Sequence, residues 1–257
     1  MTHRKPCYAL VTWWWLKEEK MNQVKSILKV SEQGVSRPYL CTDEEDRVRW
    51  CKGSHTGFRS VISEWICACM ARRLGLPIPD FAILNLDVAM FRQWCGYQSN
   101  PVPEIVTEFN SQVFASLDAD GCKDVVNPQF DLRHIDKALL AKIYLFDRLI
   151  HNTDRTDFNS NLLVNGRVYI IDHNNAFDSE FSASEFASGH ILRAYRDALP
   201  KEDKAAFLRK AAELANGAFL EDAWSEMPEK WIDVGNDVLP LSRIKDVLKE
   251  GCDAGAV

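Results

Sequence analysis

The chain has 257 residues, 46% hydrophobic and 26% charged, enough for one large domain or two closely packed lobes with a substantial core. A net charge of −6 argues against a broad face for nucleic acid, so no direct nucleic-acid binding is expected. The apolar stretch Tyr8–Leu16 is too short to span a bilayer and no small-residue cleavage site follows it, so the expected setting is cytoplasmic, without membrane insertion.

In chain order, Trp13-Trp14-Trp15 reads as an aromatic strand or edge packed on the core. Lys25 to Val30, Arg37 to Thr42 and Arg47 to Lys52 alternate as strands. They are separated by the turn Ser31-Glu32-Gln33-Gly34 and the charged turn Asp43-Glu44-Glu45-Asp46, which together give an antiparallel meander. A helix is predicted over Phe58 to Leu74, with Val61, Ile62, Trp65, Ile66, Cys69 and Met70 on its apolar face. Gly75 stops it, and Pro77 and Pro79 prevent its return. Phe81 to Leu86 reads as a strand, Gly96 to Pro103 as a loop, and Glu104 to Phe109 as a strand leaving this lobe.

The second half is mainly helical. Ile135, Leu139, Ile143, Phe146 and Ile150 stripe one helix, which ends in a polar run from His151 to Asn161. Leu162-Leu163-Val164 and Val168-Tyr169-Ile170-Ile171 then flank Asn165-Gly166, a strong hairpin signal. Further helices are predicted over Ala183 to Ala198, Lys201 to Ala215 and Leu241 to Lys249. Of the eight cysteines only Cys67 and Cys69 are close, and that gap is not a zinc spacing. They read as reduced, mostly buried small apolar residues.

The chemistry concentrates at the hairpin. With Asn165 and Gly166 as the two turn residues, Val164 faces Arg167 and the ladder ends with Asn159 opposite Asp172. An amide oxygen and a carboxylate are hard ligands suited to Mg²⁺ shared with phosphate oxygens. Asp154 precedes Asn159 by five residues. That is the spacing at which a phosphoryl-transfer site places the Asp that orients the acceptor hydroxyl before the metal Asn. Asn161 reads equally as a second metal ligand or a loop brace. His151 and His173 read as structural or orienting groups. Asn152 and Asp157 read as turn caps.

Such a site also needs a cation on the nucleotide phosphates. Lys52 ends the third strand, and Glu64, early in the following helix, is placed to pair with it. No GxGxxG or GxxxxGK[ST] occurs. The candidate phosphate loop is Gln33 to Arg37, where backbone N–H groups around Gly34, Ser36 and Arg37 would reach phosphate oxygens.

These segments resemble the HipA-like kinase family. Val61-Ile62-Ser63-Glu64-Trp65 leading to Leu74-Gly75-Leu76-Pro77-Ile78-Pro79 is similar to its N-lobe helix. His151-Asn152-Thr153-Asp154-Arg155, Asn159-Ser160-Asn161-Leu162-Leu163 and Ile171-Asp172-His173 are similar to its catalytic and metal segments. The likeness covers about residues 25 to 177 and, more loosely, the helical tail with His190. It extends more distantly to phosphoinositide kinases. It implies an α+β, two-lobed protein-kinase-like fold, with a small antiparallel-sheet N-lobe (1–108) and a mainly helical C-lobe (109–257). It further implies ATP and Mg²⁺ bound between lobes, and transfer to a hydroxyl, usually of a protein Ser or Thr. Asp154 is then the catalytic Asp, Asn159 and Asp172 the metal ligands, and Lys52 the phosphate cation. Arg155 either steadies the loop or counters developing charge. Asn174 stands where many kinases have Gly after the metal Asp. The chain is also shorter than the HipA toxins, which work with a DNA-binding antitoxin, and no sequence feature calls for such a partner.

Three rivals stay open at this stage. One is a nucleotide-binding pseudokinase, and another is a structural interaction domain. The third is a metal-dependent phosphoesterase using His151, Asp154, Asp172 and His173.

Overall fold

The computed structural model describes residues 23–32, 36–97, 112–233 and 239–255. Trp13–Trp15, Gly34 and the segment Glu104–Phe109 lie outside the described residues. The first elements in chain order are β1 (Val24–Val30), β2 (Tyr39–Asp43), β3 (Val48–Lys52), α1 (Phe58–Leu74), β4 (Phe81–Asn85), α2 (Val88–Gly96) and β5 (Gln112–Leu117). Then come β6 (Lys123–Asp124), α3 (Pro128–Asp131), α4 (Lys137–Leu149), β7 (Leu162–Val164), β8 (Val168–Ile170) and α5 (Ala183–Gly189). The last are α6 (Lys201–Asn216), α7 (Phe219–Ser225), α8 (Glu229–Ile232) and α9 (Leu241–Gly255). They divide into two compact units, Met1–His55 with Ala82–Asp118, and Thr56–Phe81 with Ala119–Val257. Helix α1 thus groups with the second unit, whereas a cut of the sequence at 108 assigns it to the first.

The first unit is built on a five-stranded sheet in the order β1-β2-β3-β5-β4. The pairings β1–β2, β2–β3 and β3–β5 are antiparallel, as the alternation predicts for the meander. Asp43 pins the β2–β3 turn. Its carboxylate accepts the backbone N–H of Arg47 (2.9 Å) and the side chains of Arg47 (2.8 Å) and Arg49 (2.7 Å). Val24, Ile27, Tyr39, Cys41 and Cys51 from the sheet pack with Leu84, Leu86, Val113, Ala115 and Phe91 of α2. Strand β5 has no strong sequence signal. It exists because β3 offers it a partner, Cys51 opposite Ala115.

In the second unit α1 is capped as its sequence demands. Gly75 takes the left-handed conformation (φ 76°), and the N–H groups of Gly75 and Leu76 close on the carbonyls of Arg72 (3.2 Å) and Ala71 (2.9 Å). The helix is buried almost all round rather than on one face. Trp65 donates to the Ala223 carbonyl of α7 (2.8 Å) and meets the Phe81 ring edge-on at 5.5 Å. The predicted helix over Ala183 to Ala198 is instead α5 followed by a break and a short 3₁₀ turn, Arg193–Tyr195. One tertiary bond and one local side-chain bond accompany the break. Ile191 N–H goes to the Arg155 carbonyl (3.1 Å), and Leu192 N–H to the His190 ring (3.0 Å). Among the described residues all seven cysteines are free thiols, and burial pushes the Cys69 thiol up to about 12.

Candidate active site

The helix that carries the predicted apolar stripe also carries a residue the stripe conceals. Asp147 lies in the last turn of α4 and is fully buried. Its Oδ2 accepts from Arg155 Nε (2.7 Å) and His190 Nε2 (3.0 Å). Its Oδ1 accepts from Asn152 Nδ2 (2.9 Å) and Arg155 Nη2 (3.4 Å). Burial alone would raise its pKa, but the Arg155 charge and the His190 hydrogen bond hold it well below the usual carboxylate range. His190 Nδ1 accepts the Leu192 N–H, so its proton resides on Nε2 and points at Asp147. Burial keeps this imidazole neutral, lowering its pKa against the pull of Asp147. The sequence signal for Asp147 was an acid four residues beyond Ile143 on an apolar helix.

Arg155 carries this anchor into the loop. It is fully buried, and its Nη1 donates to the carbonyls of Asn161 and Ser160 (3.4 Å for Ser160). Its Nη2 meets His173 Nε2 at 3.2 Å. Its donors brace the loop from within, on Asp147, Ser160, Asn161 and His173. Around this brace the backbone is strained. His151 (φ 51°), Asn161 (φ 46°), Asp172 (φ 56°) and Phe177 (φ 60°) all take left-handed conformations. For non-glycine residues each costs about 1–3 kcal/mol, and such strain clusters at functional sites.

The hairpin corrects the expected register by one residue. β7 and β8 pair Leu162 with Ile170, Leu163 with Tyr169 and Val164 with Val168. The loop is therefore three residues, Asn165 to Arg167, with Asn165 N–H on the Arg167 carbonyl (3.0 Å). Gly166 at φ 67° permits it. Ile171 N–H donates to the Asn161 carbonyl (3.1 Å), so the ladder continued puts Ser160, not Asn159, opposite Asp172. Asn159 is exposed and closes a turn with Thr156, whose N–H donates to its carbonyl (2.8 Å). Asn161 is the amide beside the candidate catalytic Asp, its Nδ2 donating to Asp154 Oδ2 at 3.2 Å. Asp154 is half-buried, and its N–H is held by Asn152 Oδ1 (3.3 Å).

Glu64 belongs to this same unit. It is buried on α1 and accepts the His173 N–H at 3.1 Å, which anchors the segment just after Asp172. Both histidines of the loop have structural surroundings. The His151 ring stacks on Phe181 (4.0 Å), and the His173 ring meets Phe146 edge-on at 5.9 Å.

In the first unit, Lys52 ends β3 and is buried. The structure brings it into the electrostatic neighbourhood of His55, together with the backbone of Ser36 and Arg37. Burial lowers the His55 pKa to about 4; Lys52 adds to this, and hydrogen bonding to the Arg37 and Ser36 backbone opposes it. Arg37 has φ 40° and donates from Nε to the Ser31 carbonyl at 3.4 Å. His55 was not singled out from the sequence, where nothing around it distinguishes it from a turn residue.

A five-stranded sheet unit, and a mainly helical unit whose polar loop leads into a hairpin, define an α+β, protein-kinase-like fold. The chain belongs to the HipA-like kinase family, whose model matches residues 24–253. The fold is shared with the Golgi casein kinase crystallised with Mn/ADP, at a TM-score of 0.50 and 13% identity over 94% of this chain and 74% of that one. A further structure of the Golgi casein kinase aligns at a TM-score of 0.49 with 13% identity and the same coverages, 94% and 74%. The Helicobacter pylori proinflammatory kinase CtkA aligns at 0.45 with 12% identity, over 91% of this chain and 97% of that chain. No curated protein matches the sequence. No helix among the described residues is long and apolar enough to cross a membrane.

Proposed function

We propose that this kinase uses ATP and Mg²⁺ and transfers the γ-phosphate to a hydroxyl of a protein Ser or Thr in the cytoplasm. One observation carries the reading: Asn161 Nδ2 lies 3.2 Å from Asp154 Oδ2, at the foot of the hairpin that leads to Asp172. Asp154 orients the acceptor hydroxyl. One of its carboxylate oxygens is held by Asn161, which leaves the other for the substrate. The amide nitrogen of Asn161 is committed to Asp154, so its oxygen is the atom it offers a cation. With the Asp172 carboxylate this makes two hard ligands, a set that fits Mg²⁺ shared with phosphates. We assign the amide ligand to Asn161 in place of Asn159. Among the described residues no group of three or more His, Cys, Asp or Glu is placed to hold a metal, and a nucleotide-borne Mg²⁺ requires none. When bound, the cation neutralises charge on the transferring phosphoryl group.

Lys52 serves the nucleotide phosphates, with Ser36 and Arg37 as the adjoining loop. Arg155, Asp147 and His190 position the catalytic loop, and Glu64 positions the Asp172 segment. The Golgi casein kinase holds Mn and ADP, which supports a nucleotide and a divalent ion here. Against a phosphoesterase that would use His173 as a ligand, its Nε2 faces the Arg155 guanidinium at 3.2 Å, which disfavours a cation at that nitrogen.

The test is calorimetric ATP binding with and without Mg²⁺, together with ADP release, for wild type, Asp154→Asn and Asp172→Asn. Asp154→Asn should bind ATP normally and lose turnover by about 10²–10⁴-fold. Asp172→Asn should lose the Mg²⁺ dependence of binding. Full turnover by Asp154→Asn, or no Mg²⁺-dependent binding by wild type, would sink the assignment.

A further inference from the structure

Within the second unit a cavity of about 210 Å³ is lined by no residue of the Asp154 loop. Its apolar lining is Ala141, Leu145, Ala183, Ala187 and Leu199, and its polar lining is Tyr144, Arg148, Arg196, Asp197 and Lys204. Three alanines from α4 and α5 make the space, since larger side chains there would fill it. It is smaller than the roughly 300–1,000 Å³ of a drug-sized pocket, so it takes a group of side-chain dimensions.

Its charge runs against that of the chain. The protein carries a net −6, but three cations and one carboxylate line the cavity, 3 − 1 = +2. A carboxylate guest would balance half of this. A phosphate monoester, at about −1.5 to −2 near neutral pH, balances it fully and offers acceptor oxygens to two guanidinium forks. Arg196 is paired with Asp197 at 3.0 Å, both largely exposed, and an exposed pair contributes too little to resist a stronger anion. Tyr144 adds a neutral hydroxyl donor: burial raises its pKa, although Arg148 and Arg196 act on it in the opposite sense.

We infer that this cavity is a binding site for a phosphate monoester on a short apolar stem, a phosphorylated Ser or Thr side chain, separate from the site of phosphoryl transfer. The apolar lining takes the stem, and Arg148, Arg196 and Lys204 take the phosphate. The inference stands without the kinase reading, because it rests on cavity shape and charge alone. A route to the loop exists. The Tyr144 ring meets the His190 ring edge-on at 5.0 Å, and His190 holds Asp147.

The experiment is calorimetry on the full chain at physiological ionic strength (~0.15 M), with saturating Mg-ATP present to block the other site. The probes are a short phosphoserine peptide, its Ser and Glu counterparts, and free O-phosphoserine. The phosphopeptide should bind, and the Ser and Glu peptides should be weaker by at least about tenfold. Arg196→Ala with Lys204→Ala, and separately Ala187→Leu to fill the cavity, should each weaken it by a similar factor while circular dichroism stays unchanged. Free O-phosphoserine binding as tightly as the peptide would sustain the site and assign it to a small phosphate ester; weaker binding would assign it to protein. Equal binding of the Glu peptide, or wild-type affinity in both variants, would overturn the inference.

Discussion

Replacing Asp147 by Asn changes no volume and removes one charge, which makes it the sharpest probe of the loop's foundation. In the wild type, four donor contacts converge on the buried carboxylate, from Arg155 Nε, Arg155 Nη2, His190 and Asn152. An amide has one acceptor oxygen and turns its NH₂ towards donors. The Arg155 guanidinium, fully buried, then loses its counter-charge. Breaking a buried pair on one side costs about 3–5 kcal/mol. That is a large share of the roughly 5–15 kcal/mol that holds a domain folded. For a chain of this size it amounts to a drop of about 6–20 °C in Tm. Thermal and urea unfolding measure it, alongside ADP release. Arg155→Met should cost a similar amount. The double variant should be more stable than the two losses added, by at least about 2 kcal/mol, because no unpaired buried charge remains. Additive losses, or a loss under about 1 kcal/mol for Asp147→Asn, would refute the view that this pair supports the loop.

Three further outcomes are expected. Asn161→Ala should lower turnover by at least about 100-fold while Asn159→Ala stays within a few-fold, measured as ADP release. Gly251→Ala in α9 should destabilise by about 1–3 kcal/mol in urea unfolding, because its Cβ would lie 2.7 Å from the Leu149 carbonyl oxygen and 2.8 Å from the Leu149 Cα, which are backbone atoms that cannot swing away. His55 has a folded pKa of about 4, below its ordinary 6.5, so it contributes stability that is full above pH 6.5 and is lost as pH falls towards 4. Between pH 7 and 4 the wild type should lose about 3 kcal/mol more than His55→Phe, read from urea midpoints at each pH.

Local signals were legible where the local chain decides. Helix α1 and its Gly75 cap, the β1–β3 meander with its Asp43 turn, and the existence of the β7–β8 hairpin all follow from periodicity and turn chemistry. What escaped depends on distant partners. Strand β5 is defined by β3, and the break after α5 by the Ile191 N–H bond to the Arg155 carbonyl. Asp147 escaped for a related reason. On an apolar helix a single acid looks like a flaw in the pattern until Arg155 and His190 are placed around it.

The register of the hairpin shows how a one-residue misreading propagates. Asn-Gly favours a two-residue turn, and that turn puts Asn159 opposite Asp172 at the same five-residue step from Asp154 that a kinase-type loop uses. Arg167 joins the loop instead, and the residue opposite Asp172 moves by one place, from Asn159 to Ser160. The loop absorbs the excess upstream. Thr156 to Asn159 close on themselves through the Thr156 N–H to Asn159 carbonyl bond and through the Thr156 hydroxyl, which accepts the N–H groups of Phe158 and Asn159 at 3.3 Å each. The bridge between Thr156 and His190 fixes the base of this turn to the element that also holds Asp147. Phe158 at its tip is wholly exposed, so the turn is an outward bulge rather than part of the packed loop. With Thr156 to Asn159 turned outward, Asn161 is the amide that meets Asp154. Spacing along the chain points to Asn159, whereas the amide that the backbone bonds bring beside Asp154 is Asn161, because a motif counts residues along the chain and not the distances between them.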